Sequence, residues 1–478
     1  MQTLTTLKKP VRMLSGVSVV AVMAKPWPCP HGKCLYCFGG PPFTPQSYYG
    51  KEPALMRAAQ CDYDPYEQVR LRLTQYTRLG HTPSKVDLII MGGTFPSMPL
   101  DYQEWFITMC LEAMNRFPKP RRNGTINLGE AQKRNEKAKI RCVGMTFETR
   151  PDWAKEQHVD FMLKLGATKV ELGVQTVYDD ILKGVKRGHT VKDSIIATRI
   201  LKDAGLKVTY HLMPGLPGST PELDFEAFKT VFEDPDFRPD GLKIYPTLVL
   251  PGSELYELWK KAEYKALEVD EVIDLLCRVK PLIPKWIRVM RVQRDVPAQL
   301  ISAGVRKSNL RELVLEELKR RGLKCRCIRC REVGIAMLKR GITAKPENVK
   351  LLVEKYEASM GIEVFVSFED VIQDLLIGFA RLRIPSQLAH RPEVGRKAAL
   401  LRELKVCGPQ IPVGVRTVEG WQHKGFGARL LNEVERIAKE EYDLRLLLVT
   451  SGIGAKPYYR AFGYRKYPNS PYMYKRLR

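Results

Sequence analysis

The sequence contains no long apolar run, no internal repeat and no low-complexity tract. Its longest apolar run near the start, residues 17–24, is far too short to span a membrane. A basic segment and a small-residue cleavage site do not together frame that run as they would in a secretory signal. We therefore expect a soluble, cytoplasmic protein that is not held in a membrane.

Acidic residues are few relative to basic ones. Aspartate and glutamate number 53 against 78 lysines and arginines, which gives a formal charge of +25. An excess of this size indicates a polyanionic partner, chiefly nucleic acid. A merely solvated basic surface is the alternative, because net charge does not define a fold.

The first half of the chain alternates apolar strand-like runs with helical stretches, which predicts parallel βα units. Six units are fewer than the eight of a closed barrel, so we predict the α/β class with a partial (β/α)6, TIM-like barrel. The six predicted strands cover residues 17–23, 86–91, 142–147, 169–174, 208–213 and 242–245.

The alternation stops at about residue 276, and a strongly basic stretch follows. We predict three regions: a barrel domain with an N-terminal basic arm, a basic connector, and a second α/β domain, over residues 1–275, 276–345 and 346–478. In the last region we predict strands at 363–368, 375–382, 400–406 and 444–449, and helices at 425–441 and 455–463.

Polar or glycine-rich clusters follow most strands of the predicted barrel. Parallel α/β folds place their active sites at the carboxyl edge of the sheet. Since five clusters fall on that edge, we expect them to form one site. They are the cysteine loop, Gly92-Gly93-Thr94, Glu148-Thr149-Arg150, Glu171 with Gln175, and residues 211–218.

The cysteine loop, CPHGKCLYC, holds Cys29, Cys34 and Cys37 with gaps of four and two residues. In a reducing compartment, such cysteines favour metal binding over disulfides. A structural zinc site wants four ligands, so zinc would need a distant fourth residue. The alternative is a [4Fe–4S] cluster held at three corners, whose fourth iron is free to bind a small molecule.

A second motif, QHKGFG, runs from Gln422 to Gly427 and precedes a predicted helix. It resembles the Gln/Arg-x-x-Gly-x-Gly/Ala loop of GNAT acetyltransferases, in which backbone N–H groups and a helix N-terminus meet a pyrophosphate. Tyr458 and Tyr459 lie downstream, where a tyrosine commonly faces the thioester sulfur. Core packing is the alternative role for each tyrosine.

The chain as a whole resembles the catalytic subunit of the Elongator complex, in a stand-alone prokaryotic form. That family fuses a radical S-adenosylmethionine barrel to a GNAT domain, although the usual cysteine gaps of that superfamily are three and two. The resemblance rests on both domains and on the ordered stretches QSYYGKEP, MGGTFPSMP, ETRPD, ELGVQTVYDD, RGHTV, HLMPGLPG, PDGLKIYPTLVLPG, RVQRD, NLRE and QHKGFG.

The resemblance implies an enzyme that forms 5-carboxymethyluridine at the wobble position of tRNA from acetyl-CoA. Its cofactors would be a [4Fe–4S] cluster and S-adenosylmethionine, with acetyl-CoA as co-substrate. A radical derived from S-adenosylmethionine would take hydrogen from the acetyl methyl group, and the resulting carbon radical would add to C5 of uridine. The anticodon stem-loop would be the partner, because its unpaired base can enter a pocket.

The resemblance also implies roles for particular residues. Cys29, Cys34 and Cys37 would hold the cluster, and Cys325, Cys327 and Cys330 a structural zinc in the connector, unless the latter are free thiols. Lys85 would reach across to acetyl-CoA, with Tyr458 and Tyr459 as catalytic candidates. The predicted cofactor contacts are Gly92, Gly93, Thr94, Glu171, Gln175, Lys85, Glu403, Leu404, Lys405, Val406, Gln422, Gly425, Phe426, Gly427, Ala428 and Tyr459.

Basic residues within 278–294 and 306–331 are candidates for tRNA contact, and Trp286 could pack or stack. Three other functions remain open on the sequence alone. The first is a protein lysine acetyltransferase with a structural iron–sulfur domain, which would not consume S-adenosylmethionine. The others are a tRNA-binding scaffold with degenerate sites and a radical enzyme acting on another RNA.

Overall fold

The computed structural model describes residues 14–121, 124, 126–395, 397–409 and 420–477. The predicted N-terminal basic arm lies mostly outside these residues. No helix in the described ranges combines the length and the apolar character that crossing a bilayer requires. Two sheets, one parallel and one mixed, organise the described chain.

The first sheet is a parallel half-barrel whose strands follow one another in chain order. Runs rich in valine and isoleucine, such as VSVVAVM, form strands because branched side chains suit a sheet covered on its outer face. The described strands are β1 (Val17–Met23), β2 (Lys85–Met91), β3 (Arg141–Thr149), β4 (Lys169–Gln175), β5 (Lys207–Leu212), β6 (Gly241–Ile244) and β7 (Arg288–Val292).

All six predicted strands are found, but the end of the alternation at residue 276 was wrong. A seventh strand, β7, pairs with β6 inside the predicted connector. It was missed because RVMRV is short and carries arginines, which hide its apolar face. The sheet therefore continues beyond residue 275, and the three domain limits stay predictions.

Helices cover the outer face of the half-barrel and complete one large apolar core with it. Local capping fixes several of their starts; Thr190 and Asp193, for example, form a capping box at the start of the helix Val191–Asp203. The helices are α1 (Pro53–Gln60), α2 (Pro65–Arg78), α3 (Leu100–Arg116), α4 (Leu128–Asn135), α5 (Glu156–Leu165), α6 (Asp179–Gly184), α7 (Val191–Asp203), α8 (Pro221–Glu233), α9 (Glu254–Lys260) and α10 (Val269–Val279).

The second sheet has the order β13-β14-β12-β11-β10-β9-β8, and its pairing is antiparallel except between β11 and β12. The four strands predicted in this region correspond to β9–β12, whereas β8, β13 and β14 were not predicted. The strands are β8 (Val349–Ala358), β9 (Gly361–Asp370), β10 (Leu375–Ile384), β11 (Ala398–Val406), β12 (Leu446–Val449), β13 (Arg465–Lys466) and β14 (Met473–Arg476).

The connector and the second sheet region contain five described helices. The predicted helix 425–441 is found as α14 with a following π-helical turn, Ile437–Glu441. The helix predicted at 455–463 is found as α15. The helices are α11 (Leu310–Arg320), α12 (Ile328–Arg331), α13 (Val333–Arg340), α14 (Phe426–Arg436) and α15 (Lys456–Ala461).

The second sheet packs against the half-barrel, so the two share one interface. Leu400, Leu448 and Tyr472 of the second sheet region belong to the core of the first sheet. Residues 452–455 lie directly on the start of β3, where a Cβ on Gly452 would come within 2.1 Å of the Val143 carbonyl oxygen. This close packing holds α15 near the amino-terminal edge of the parallel sheet.

Candidate active site

The five polar clusters predicted at the carboxyl edge of the parallel sheet surround one cavity of about 190 Å³. The cysteine loop forms one wall, and the strand ends form the others. Because the cysteine loop and residues of β2 to β7 contribute to it, the cavity depends on the fold of the whole half-barrel. Its lining includes Cys29, Cys34, Cys37, Gly93, Thr94, Glu148, Thr149, Arg150, Glu171, Gln175, His211 and Met213.

The three cysteines of this cavity are not spaced to bind one ion. Zn–S bonds of about 2.3 Å in a tetrahedron place sulfur atoms about 3.8 Å apart. Among the described residues, the sulfur atoms of Cys29, Cys34 and Cys37 do not form a set that lies within 4.8 Å. Wider spacing suits a cluster, because each cysteine then binds a different iron.

Basic and polar groups surround the thiols. Arg187 Nη1 lies 3.6 Å from Cys34 Sγ, and Arg187 Nη2 donates to the Gly173 carbonyl at 2.8 Å. His31 Nε2 lies 3.1 Å from the same sulfur. Burial, followed by the charges of Arg150 and Arg187, lowers the pKa of His31 to about 3, so its ring is neutral. A buried guanidinium beside thiolates stabilises negative charge at this site.

The cavity wall also offers groups that no protein atom satisfies. Within the described residues, Thr149 Oγ1 and Gln175 Oε1 are buried without a hydrogen-bond partner. Gly92 and Gly93 have φ values of +137° and +76°, which only glycine adopts readily. A Cβ on Gly93 would lie 3.6 Å from Cys29 Sγ. Unsatisfied polar atoms beside the glycine backbone of the cavity wall suit a polar ligand.

The floor of the cavity is charged. Lys243 Nζ lies 2.9 Å from Glu148 Oε1 and also pairs with Glu171. His211 Nε2 lies 3.0 Å from Glu171 Oε2, and Lys169 Nζ lies 3.2 Å from the other oxygen. Burial would raise the pKa of Glu171, but Lys243 and then Lys169 hold it well below its usual range. Glu171 is therefore an ionised, fully buried carboxylate.

The residues of the QHKGFG motif lie in the second sheet region, around the start of α14. Gly425 has a φ of +80° at the N-cap of that helix. A Cβ on Gly427 would come within 2.6 Å of Tyr458 Oη. Tyr459 is buried in the second apolar core, and Phe426 packs there against Phe368. Tyr458 thus presents its hydroxyl to the loop, whereas the Tyr459 ring is a core side chain.

The other residues predicted to contact acetyl-CoA lie on β11 and at the amino-terminal edge of the half-barrel. This edge is opposite the one that carries the cysteines. Glu403 pairs with Arg381 at 2.9 Å and with Lys207 at 3.5 Å. Burial would raise the pKa of Glu403, but Lys207 and Arg381 lower it to about 2. Lys405 pairs with Glu332 at 3.0 Å. The other two strand candidates, Leu404 and Val406, are half-buried.

Lys85 and Gln422 lie at the edges of this second site. Lys85 begins β2 beside Arg141, and burial followed by the Arg141 charge lowers its pKa. Gln422 Nε2 lies 3.5 Å from the Ser15 and Gly408 carbonyl oxygens. Ala428 is half-buried in the first turn of α14. The predicted site residues therefore form two groups, at opposite ends of the parallel strands.

The connector cysteines form a compact set. The sulfur atoms of Cys325, Cys327 and Cys330 all lie within 4.8 Å of one another. That spacing suits a single tetrahedral ion. Lys280 Nζ lies 3.7 Å from Cys325 Sγ, and a positive charge there favours thiolates.

Some of the basic residues predicted for tRNA contact form ion pairs within the chain. Arg288 pairs with Glu332 at 2.7 Å, and Arg321 pairs with Asp274 and Glu317. Trp286 stacks on Tyr356 with ring centroids 4.0 Å apart, so it packs against β8. These two arginines thus have carboxylate partners within the chain, and Trp286 has a packing role.

Sequence reasoning did not single out the cavity residues Arg187 and Lys243. Arg187 falls in the RGHTV stretch, and Lys243 is a lysine inside an apolar strand. A charged residue inside a buried parallel strand is unusual, and that contrast was the available signal. Its partner Glu148 was noticed only as part of a strand-end cluster.

Comparison with known proteins places the chain in a family. The sequence model of the Radical SAM superfamily matches residues 28–228, and that of the Radical_SAM C-terminal domain matches residues 239–320. The tRNA uridine(34) acetyltransferase of Methanocaldococcus jannaschii is 53% identical over 464 residues, 96% of this chain and 84% of that protein. Elongator complex protein 3 of Mus musculus is 45% identical and matches 98% of this chain and 86% of its own length.

The chain belongs to the Elongator complex protein 3 family. A solved structure of a family member, the archaeal Methanocaldococcus infernus Elp3 with N-terminus deletion (1-46), has a TM-score of 0.85 and 49% identity. The match covers 97% of this chain and the whole of the solved chain. The predicted family resemblance and the radical SAM half-barrel are thereby confirmed. Membership of the radical SAM superfamily implies a [4Fe–4S] cluster and S-adenosylmethionine.

Proposed function

We propose that this protein forms 5-carboxymethyluridine at the wobble position of tRNA, using acetyl-CoA and radical chemistry from S-adenosylmethionine. A close relative carries the name tRNA uridine(34) acetyltransferase. The observation that carries the proposal is the single cavity that joins three widely spaced thiols to a floor of paired charges. Such a cavity suits a radical acting on a polar base.

In this proposal Cys29, Cys34 and Cys37 hold the cluster at three irons. Gly93, Thr94, Glu171 and Gln175 line the cavity and, with the neighbouring Gly92, would meet S-adenosylmethionine, to which the buried Gln175 Oε1 offers an unused acceptor. When bound, the two cofactors supply an electron and a reactive carbon radical. Arg187 stabilises the negative charge of the thiolates.

Acetyl-CoA is proposed to bind the second sheet as in GNAT enzymes. The exposed Gly425 at the N-cap of α14 and the half-buried Gly427 in its first turn suit a pyrophosphate at the positive end of the helix. Residues 403–406 of β11 would pair with the pantetheine arm. Tyr458, 41% exposed beside Gly427, is the candidate for the thioester, and Tyr459 supports it from the core.

Lys85 and the connector complete the proposal. Lys85 would reach acetyl-CoA from the edge of β2, where residues 452–455 already touch the neighbouring strand. The connector cysteines would hold a structural zinc, which Cys327→Ser should remove while Cys61→Ser leaves it; elemental analysis measures both. The charge of +25 would attract the anticodon stem-loop in a salt-dependent way.

An anaerobic assay of the reconstituted protein with tRNA, acetyl-CoA and a reductant tests this function. We expect 5′-deoxyadenosine and carboxymethylated wobble uridine, both absent in Cys34→Ser. The variant Cys61→Ser, which changes a cysteine outside both clusters, should keep full activity. Acetyl-lysine on proteins without 5′-deoxyadenosine would instead favour the protein acetyltransferase and refute the proposal.

A further inference from the structure

Two side chains on the charged floor of the cavity, those of Glu148 and Lys243, have no role in the proposed chemistry. Lys243 on β6 lies between two carboxylates, Glu148 on β3 and Glu171 on β4. Its side chain is 11% exposed, that of Glu148 13%, and that of Glu171 fully buried. Removing several charges from water is costly, so a ligand that needs them is the simplest reason for their presence.

This cluster is not arranged for a metal ion. Ligand atoms of Glu148, Glu171 and His211 lie within 4.8 Å of one another, as they would around a cation. However, the Lys243 ammonium already contacts both carboxylates. A metal ion would have to displace that ammonium, which has no other anionic partner among the described residues.

The cluster retains hydrogen-bonding capacity toward the cavity. An ammonium has three N–H donors, and two carboxylates take two of those of Lys243. Glu148 accepts one hydrogen bond from Lys243 at 2.9 Å and one from the Tyr48 hydroxyl at 3.4 Å, which leaves lone pairs unused. Both residues line the cavity together with the cysteines and Tyr245.

We propose that Glu148 and Lys243 recognise the Watson–Crick edge of the uracil base. The carboxylate of Glu148 accepts the N3–H of uracil, and the ammonium of Lys243 donates to O4. Cytosine presents an acceptor at N3 and a donor at C4, so it meets the wrong partner at both atoms. This inference rests on the proposed function, because it assumes that the wobble base enters this cavity.

Glu171 and His211 act in this scheme as positioning residues. Glu171 pairs with Lys243, and it also contacts Lys169 and His211. Burial, followed by the charge of Lys243, lowers the pKa of His211, so a neutral ring can donate its Nε2–H to Glu171. The ammonium is thereby fixed before the base arrives, which favours a selective site.

Binding of anticodon stem-loops to the reconstituted enzyme with S-adenosylmethionine tests the inference. The loops carry uridine, cytidine or 3-methyluridine at the wobble position; 3-methyluridine lacks the N3 hydrogen. We expect the wild type to bind the uridine loop about tenfold more tightly than either of the others. Glu148→Gln should reduce the ratio between the uridine and cytidine affinities to about one. Its neutral amide loses the charged contact to N3–H and can pair with cytosine.

Glu257→Gln and Lys260→Met are matched controls, because these residues form an exposed ion pair on α9, 60% and 47% exposed. They should keep the wild-type ratio. Lys243→Met should weaken the uridine loop about tenfold, and cofactor affinity should not change in any variant. Should Lys243→Met fail to fold, Glu148→Gln and the 3-methyluridine loop still decide the matter.

Three results would overturn the inference: a wild-type ratio near one, an unchanged ratio in Glu148→Gln, or a parallel loss of S-adenosylmethionine affinity, which would assign the cluster to the cofactor. Failure of the proposed function looks different. In that case the wild type itself forms no 5′-deoxyadenosine and no modified uridine.

Discussion

Arg402 on β11 donates two hydrogen bonds of 2.7 Å to the carboxylate of Asp240, the residue before β6. Asp240 also accepts a hydrogen bond from the Val208 backbone N–H at 2.8 Å, and both charged side chains are buried. The pair joins the second sheet to the half-barrel. Around it lie further buried charges, namely Lys202, Asp203, Glu363, Arg381 and Arg383.

Asp240→Asn should destabilise this interface strongly. Burial would raise the pKa of Asp240, but Arg402 and Arg381 hold it well below its usual range, so the substitution removes a buried negative charge. We expect a loss of about 3 kcal/mol in the free energy of unfolding, measured by denaturant titration. Glu257→Gln, on the surface, should lose less than about 1 kcal/mol. An equally small loss in Asp240→Asn would contradict the prediction.

Lys202 should make the free energy of unfolding depend on pH in the alkaline range. It is fully buried on α7, and burial lowers its pKa from 10.5 to about 8 despite Glu363. The unfolded chain therefore holds more protons between pH 8 and 10.5, and the free energy of unfolding rises with pH across that window by about 3 kcal/mol. Lys202→Met should lack this rise, which denaturant titrations at several pH values would measure.

Lys192→Met is the matched control, because Lys192 is an exposed lysine on the same helix. It should retain the whole rise. A rise of equal size in Lys202→Met would assign the pH dependence to another group.

Arg187 should tune the reduction potential of the cluster. Its guanidinium lies 3.6 Å from Cys34 Sγ, and a positive charge there favours the reduced, more negative cluster. Arg187→Met should lower the potential by on the order of 100 mV, as followed by a redox titration with electron paramagnetic resonance. Arg187→Lys keeps the charge and should shift the potential much less. Equal shifts in the two variants would argue against an electrostatic cause.

Gly427→Ala should weaken acetyl-CoA binding with little effect on folding. The new Cβ would come within 2.6 Å of Tyr458 Oη, so the tyrosine must move away from the loop. We expect at least a tenfold higher Kd for acetyl-CoA by calorimetry, an effect of about 1.4 kcal/mol. Gly184→Ala, at a helical position with open space around it, should change neither property.

The double variant Gly427→Ala/Tyr458→Phe separates two causes. Removal of the hydroxyl relieves the contact, so the double variant should bind acetyl-CoA more tightly than Gly427→Ala alone. Unchanged affinity would mean that the backbone of the loop, and not the position of Tyr458, limits binding.

The positions of the first six strands along the chain could be predicted from the sequence because their signals are local. VSVVAVM and KVDLIIM are rich in apolar residues, several of which are buried. β7 could not be predicted in the same way. Its pairing with β6 depends on a partner distant in sequence, and its arginines resemble those of the basic stretch around it.

The candidate site likewise has features that local sequence predicts and features that depend on packing. The cysteine triplet and QHKGFG are continuous in sequence, so their chemistry could be inferred directly. The separate roles of Tyr458 and Tyr459 could not, because only packing decides which neighbour enters the core. The buried charges at Lys243 carried too weak a local signal to be assigned a role.

The sequence by itself determined the kinds of element, their order and the side chains that carry sulfur and charge, since periodicity and short motifs act over a few residues. Only the tertiary structure decided that Lys243 meets Glu148, 95 residues earlier, and that one set of cysteines is spaced wider than the other. Contacts of such separation follow from the pairing of parallel strands. That pairing is a property of the whole sheet and not of any segment within it.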